Sequence, residues 1–365
     1  MTASLLNRRA LLAAGGAAWA FPAHAFMPNE GPDTPKICLG PVVDTEMNAR
    51  GFRRFRQIGI THVILGNSGF PWKEDDLKAR VALLKAGGLT AGDIVLPYVG
   101  PARETMRDII LGRPGRDAAI DIVKSCIRAA GAAGIPVVEY NFYAHRLEEG
   151  YFHAPDPSRG GAVVESFHYD RVKDLPPLPE TGAVSAERLW TNLEYFLKAV
   201  VPVAESVKVR MSLHPNDPPP HISRGNGQVL HTLKDWKRLI ETVNSPSNGL
   251  TFDCGVTREL GEDPVEVARY FASRDRINHC HFRNVKLTKP NEKYVEVWND
   301  EGDDDMFAVM KELIKNKYTR LIMPEHPRSM ENDKGQKNGG YTGWVYNVGY
   351  ARAMMQAALL DLRKS

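Results

Sequence analysis

The sequence predicts an α/β fold, and within that class a (β/α)8 barrel, on three observations. There are eight short apolar, β-branched runs, a helical pattern follows most of them, and no linker splits the series. The runs lie at 36–40, 62–66, 94–99, 136–142, 209–214, 250–255, 277–284 and 320–326. Strands apolar on both faces belong to a parallel sheet covered on both sides, and segments at 47–57, 73–86, 117–133, 186–204, 233–243, 264–272 and 306–315 supply the covering helices. A doubly wound open sheet is the alternative. It usually opens on a Gly-rich turn, whereas the first strand here runs into Pro41-Val42-Val43-Asp44.

Length and composition agree with one large barrel. The chain has 365 residues, 43% apolar and 25% charged, with 31 Gly and 25 Pro spread along it, which excludes disordered, collagen-like and coiled-coil classes. A formal charge of +3 offers no footprint for nucleic acid or anionic lipid. Cys38, Cys126, Cys254 and Cys280 form neither a CxxC pair nor a zinc-finger spacing.

Residues 1–25 read as an address. Arg8-Arg9 precede an uncharged stretch rich in Leu, Ala and Gly, which ends in the small-residue site Ala23-His24-Ala25. Adjacent arginines point to the twin-arginine export machinery, cleavage near Ala25 and a periplasmic location. The apolar stretch is too short for stable membrane insertion. Residues 26–365 then form a single barrel domain. Its connection at 144–181, ending in Leu175-Pro176-Pro177-Leu178-Pro179, exceeds an ordinary βα loop and reads as a lid or as a subunit contact of a homo-oligomer.

In such barrels the chemistry sits where strands end. Strand five ends at His214, strand six at Asp253-Cys254, strand seven at His281 and strand eight at Glu325-His326. A lone strand-end histidine is ordinarily capped or solvated. Four ligand-type ends on consecutive strands instead describe a mixed nitrogen and oxygen site, suited to Mn²⁺ or Fe²⁺, with Mg²⁺ or Zn²⁺ possible. Strand alternation sends Asp253 and Cys254 to opposite faces, so one of the two is a ligand, and it separates Glu325 from His326 unless the strand ends between them. Glu139 fits a charge satisfied inside the barrel as well as a functional role. The acidic run 301–305 fits a helix start better than a calcium loop.

The segments Ser212-Leu213-His214-Pro215-Asn216-Asp217-Pro218-Pro219, 248–252, His281-Phe282-Arg283-Asn284-Val285, Glu325-His326 and Gly339-Gly340-Tyr341 resemble the mannonate dehydratases, xylose-isomerase-like TIM barrels. The resemblance covers roughly 136–360. It implies a metal-dependent sugar-acid dehydratase that turns D-mannonate into 2-keto-3-deoxy-D-gluconate and water. It also implies metal ligands His214, Asp253, His281 and Glu325, acid/base candidates His326 and Tyr341, and contacts to the sugar acid from Arg283, Asn284 and Asn141. Two positions depart from the family's His, Cys, His, Asp set: Asp253 stands on the cysteine and Glu325 on the aspartate. The harder, oxygen-rich set is similar to that of sugar isomerases and epimerases in the same superfamily, which is the alternative activity. A periplasmic sugar-acid binding protein that has lost its chemistry is a further one.

Overall fold

Eight parallel strands close on themselves, and a second, antiparallel sheet stands over one end of the closed ring. The computed structural model describes residues 27–333 and 340–363; the expected export signal at 1–25 lies outside the described residues. In chain order the strands are β1 Lys36–Val42, β2 His62–Leu65, β3 Thr90–Val95, β4 Val137–Tyr140, β5 Tyr151–Asp156, β6 Ala162–His168, β7 Arg210–Leu213, β8 Ile222–Ser223, β9 Asn226–Gly227, β10 Asn248–Asp253, β11 Ile277–His281, β12 Asn284–Lys289, β13 Lys293–Val297 and β14 Leu321–Met323. The helices are α1 Ala49–Gln57, α2 Glu74–Ala86, α3 Arg103–Leu111, α4 Arg116–Ala132, α5 Ala186–Ser206, α6 Leu233–Thr242, α7 Cys254–Glu259, α8 Pro264–Ala272, α9 Met306–Lys315 and α10 Tyr341–Leu362.

The barrel runs β1-β2-β3-β4-β7-β10-β11-β14 and back to β1, as the eight apolar runs require. Its register sets the site, because Asp253 pairs with His281 and His281 with Met323 across neighbouring strands. Helix starts hold the connections in place. Thr232, Asp263 and Asp305 each accept a backbone N–H of the helix they precede, satisfying donors the first turn leaves open. Asp305 closes the acidic run, which is therefore a helix start. Among the described residues no helix is long and apolar enough to cross a membrane.

Four of the differences from the expected boundaries bear on the site, and the third strand also lies earlier than expected, at Thr90–Val95 rather than 94–99. The connection at 144–181 is not a loop: β5 and β6 lie inside it and join β13 and β12 in a four-stranded antiparallel cap, order β12-β13-β6-β5. The seventh barrel strand stops at His281, and the chain re-enters as β12 in that cap rather than running on to 284. β10 stops at Asp253, whose Oδ1 accepts the Val256 N–H at 2.8 Å, so Cys254 opens a helix. β14 stops at Met323, ahead of both Glu325 and His326. The helix Arg103–Leu111 has no counterpart in the sequence reading.

The cap has its own apolar cluster of Leu147, Phe167, Val172, Val285 and Tyr294. Phe167 is fully buried and stacks on Tyr294 with ring centroids 5.3 Å apart. Truncating it opens a cavity in this small cluster, so Phe167→Ala should cost about 3–5 kcal/mol in urea unfolding and speed proteolytic cleavage within 144–181. A loss below about 1 kcal/mol would mean that barrel contacts, not this cluster, hold the cap.

Candidate active site

Four side chains converge at the C-terminal ends of β7, β10, β11 and β14. The ligand atoms of His214, Asp253, His281 and Glu325 lie within 4.8 Å of one another. His214 Nδ1 donates to the Pro215 carbonyl at 2.7 Å, so Nε2 presents its lone pair, 3.0 Å from His281 Nδ1. Glu325 Oε1 is 2.7 Å from that same His281 nitrogen. Asp253 Oδ2 lies 3.7 Å from His214 and 3.6 Å from His281. Cys254 is buried and faces Cys280 instead, so of the two candidates on strand six only Asp253 joins the cluster.

Two carboxylates and two imidazoles drawn this close leave an electrostatic problem. Burial lowers the His214 pKa and nearby His281 lowers it further. Burial also works against a charged His281, but Glu325 and Asp253 outweigh it and push that pKa up to about 10. Asp253 is held well below the usual carboxylate range because Arg283 and both histidines overcome the effect of burial. A divalent cation would answer the same need as the shared proton. The N₂O₂ donor set, the lone pair fixed on His214 and the net negative charge fit such an ion, and the oxygen half of the set favours a hard one.

A polar layer supports the cluster from inside the barrel. Glu139 Oε2 accepts from His279 Nδ1 at 2.6 Å and from Thr251 at 3.0 Å, and stands 3.8 Å from His281 Nε2, which is buried without a hydrogen-bond partner. Beyond it, Asp93 Oδ2 is 3.2 Å from His279. Glu139 is therefore both a satisfied buried charge and a neighbour of the cluster.

A cavity of about 630 Å³, within the usual range for small-molecule sites, opens above, lined by His214, His281, Glu325, His326, Asn141 and Arg146 among others. The structure thus brings Asn141 and His326 to the cluster. His326 gets there through a left-handed backbone, φ 47°, just after the strand has ended; its Nε2 lies 3.8 Å from Glu325 Oε2 and its Nδ1 2.5 Å from Glu296. Arg283 is instead 1% exposed and held by Asp253 and Glu259 at 3.0 and 2.8 Å, outside the cavity lining. Its fit is tight: a Cβ on Gly255 would come within 2.5 Å of the guanidinium. Asn284 is spent on the Asn299 and Asp304 backbone. The Tyr341 hydroxyl donates to the Arg54 carbonyl at 3.0 Å and its ring lines a side cavity; Trp344, one turn on, borders both spaces.

Sequence reading missed Arg146, Glu296 and Arg328. Arg146 lies just past the fourth strand end in a segment read as loop. Glu296 sits in Lys293-Tyr294-Val295-Glu296-Val297, whose alternation could have been read as a strand.

A parallel barrel whose mouth carries this donor set beside a polar cavity belongs to the class of (β/α)8 enzymes built to hold a divalent cation. Comparison narrows the class. The D-mannonate dehydratase (UxuA) family profile matches residues 163–364. A mannonate dehydratase of Streptococcus suis (strain 05ZYH33) is 33% identical over 319 residues, covering 80% of this chain and 85% of that protein. One from Thermotoga maritima is 32% identical over 286 residues, 68% and 78% respectively. The crystal structure of mannonate dehydratase from Streptococcus suis serotype 2 superposes with a TM-score of 0.77 at 27% identity, covering 90% of this chain and 96% of that one. L-ribulose 3-epimerase shares the fold at 14% identity and a TM-score of 0.56. The chain belongs to the mannonate dehydratase family, whose members are metal-dependent hydro-lyases.

If the cluster is the metal site, His214→Ala should weaken Mn²⁺ retention by about 100-fold or more by elemental analysis after gel filtration, while Cys254→Ala leaves it unchanged. Unchanged metal in His214→Ala would remove the assignment.

Proposed function

We propose that the protein dehydrates D-mannonate to 2-keto-3-deoxy-D-gluconate and water. The observation that carries this reading is the cluster of His214, Asp253, His281 and Glu325 at the base of a cavity that His326 also lines, in a member of this family. When bound by those four residues, Mn²⁺ or Fe²⁺, with Mg²⁺ as the alternative, would supply Lewis-acid neutralisation of the charge that develops as C2 loses its proton.

The chain's own groups divide the remaining work. Arg146 borders the cavity with its NH1 and NH2 groups 3.6 and 3.7 Å from Glu148 and Asp217, so its fork has capacity left for the substrate carboxylate, whereas Arg283 is buried against Asp253 and Glu259, outside the cavity lining. Asn141 offers an amide to the hydroxyls. As the C2–H bond breaks its proton goes to a base, the electron pair forms C2=C3, and the C3–O bond breaks as an acid protonates the departing hydroxyl. The resulting enol takes a proton at C3 and becomes the ketone. His326 Nε2 is one of the two proton-handling groups. Tyr341 serves as the other once its hydroxyl leaves Arg54, since its helix already reaches the cavity through Trp344.

Assaying the Mn²⁺-loaded protein with D-mannonate should yield a 2-keto-3-deoxy acid, with activity lost to a chelator and restored by Mn²⁺. The carboxylates at 253 and 325 favour one second reading, an isomerase or epimerase; an isomerised sugar acid without keto acid would establish it. Tight binding with no conversion would leave a binding protein.

The Arg8-Arg9 segment supports export of the folded, loaded enzyme to the periplasm by the twin-arginine route. N-terminal sequencing of the protein from a periplasmic fraction should begin at Phe26. An intact N-terminus found in the cytoplasm would contradict it.

A further inference from the structure

The cap sheet reaches into the site at one point. Glu296, on β13, is 1% exposed, and its Oε2 accepts from His326 Nδ1 at 2.5 Å. Arg328 fastens the same pair. Its NH2 donates to Glu296 Oε2 at 3.1 Å and to the His326 carbonyl at 2.6 Å, its Nε reaches that carbonyl at 2.8 Å, and its NH1 donates to the Glu296 carbonyl at 3.3 Å. The other Glu296 oxygen lies 3.7 Å from Arg283. His326 adopts φ 47°, which an L-residue holds only when its surroundings over-determine it, and the Arg328 clamp on its carbonyl does so.

We propose that Glu296 and Arg328 are positioning residues for proton transfer: Glu296 fixes His326 as the tautomer with hydrogen on Nδ1, so that Nε2, facing the cavity, is the atom that takes or gives the substrate's proton. The inference rests on the dehydratase reading for its kinetic consequence but not for its geometry. Nδ1 donating to a carboxylate leaves one imidazole nitrogen for chemistry, and the backbone clamp keeps that nitrogen beside Glu325 rather than turned to solvent. It also gives the cap a duty. β13 pairs with β6, on the segment read from sequence as a loop, and this pairing places Glu165 opposite Glu296. An acid/base carried by the barrel is thus oriented by a residue the barrel does not contain.

The test is a cycle with a structural readout beside it. Glu296→Ala should lower kcat by about 100-fold or more with KM within about 3-fold and with bound metal unchanged, because orientation acts on the chemical step. Glu296→Asp should restore part of the loss, and Arg328→Met should reproduce a smaller one. In a His326→Ala background, Glu296→Ala should cause no further fall. A further fall of the same size would overturn the proposal, as would unchanged kcat in the single variant. Since removing a buried carboxylate can impair folding, Glu296→Gln is the companion, and only variants with native circular dichroism and full metal content are compared. Nitrogen-15 NMR of the Mg²⁺-loaded protein reads the geometry without substrate. It should show a slowly exchanging Nδ1–H on His326 that is displaced in Glu296→Gln. Absence of that proton in the wild type overturns the positioning role even if D-mannonate is not the substrate, whereas its presence in a protein inactive on D-mannonate overturns only the dehydratase reading.

Discussion

The Arg283 guanidinium lies 3.0 Å from Asp253, 2.8 Å from Glu259, 3.4 Å from Asp217, 3.5 Å from Glu325 and 3.7 Å from Glu296, with 1% of the side chain exposed. Removing that one cation would leave several buried carboxylates facing each other, a far larger penalty than the loss of any surface pair. Even with it in place compensation is incomplete. Burial pushes the Glu259 carboxyl well above its usual range; Arg283 opposes this, while Asp217, Asp253 and Glu296 add to it. At the mouth itself the carboxylates of Asp253 and Glu325 stand beside two imidazoles, a donor set whose oxygen half suits a divalent cation.

Arg283 also explains why barrel and cap act as one device. It sits between β11 and β12, at the point where the chain leaves the barrel for the antiparallel sheet, and it touches acids from both. On the barrel side it fixes Asp253, whose other oxygen caps α7, so this carboxylate is oriented from two directions. On the cap side it faces Glu296, the partner of His326. The left-handed turn at His326 is the local distortion this arrangement requires, at the site, where strained backbone is usually found, and the absence of a side chain at Gly255 leaves room for the Arg283 guanidinium.

Much of this was legible in the sequence, and the rest was not for identifiable reasons. Strand order and the placing of His214 and His281 near strand ends followed from the apolar runs, because parallel barrel strands obey one simple pattern, whereas alternation left Asp253 and Cys254 open and the family resemblance selected Asp253. Alternation failed at Glu325 and His326 because it presumes a strand, and β14 is only three residues long. Arg283 and Asn284 match a motif, yet a motif does not say whether a polar side chain faces the cavity or props up its wall. The cap was missed because β5 is a half-exposed, Pro-containing edge strand, and its hairpin partner β6 finds its other neighbour, β13, more than a hundred residues away. A contact such as Glu296 to His326 depends on pairing between distant segments, which no local pattern encodes.

We propose that a metal sits among His214, Asp253, His281 and Glu325 rather than at either of two other acid and histidine groups found among the described residues: Glu139 with His279 and His281, and Asp217 with Glu296 and His326. Anomalous diffraction at the manganese edge from Mn²⁺-loaded crystals decides between the three. One strong peak is expected within coordination distance of all four ligand atoms. A dominant peak at either of the other groups would contradict it.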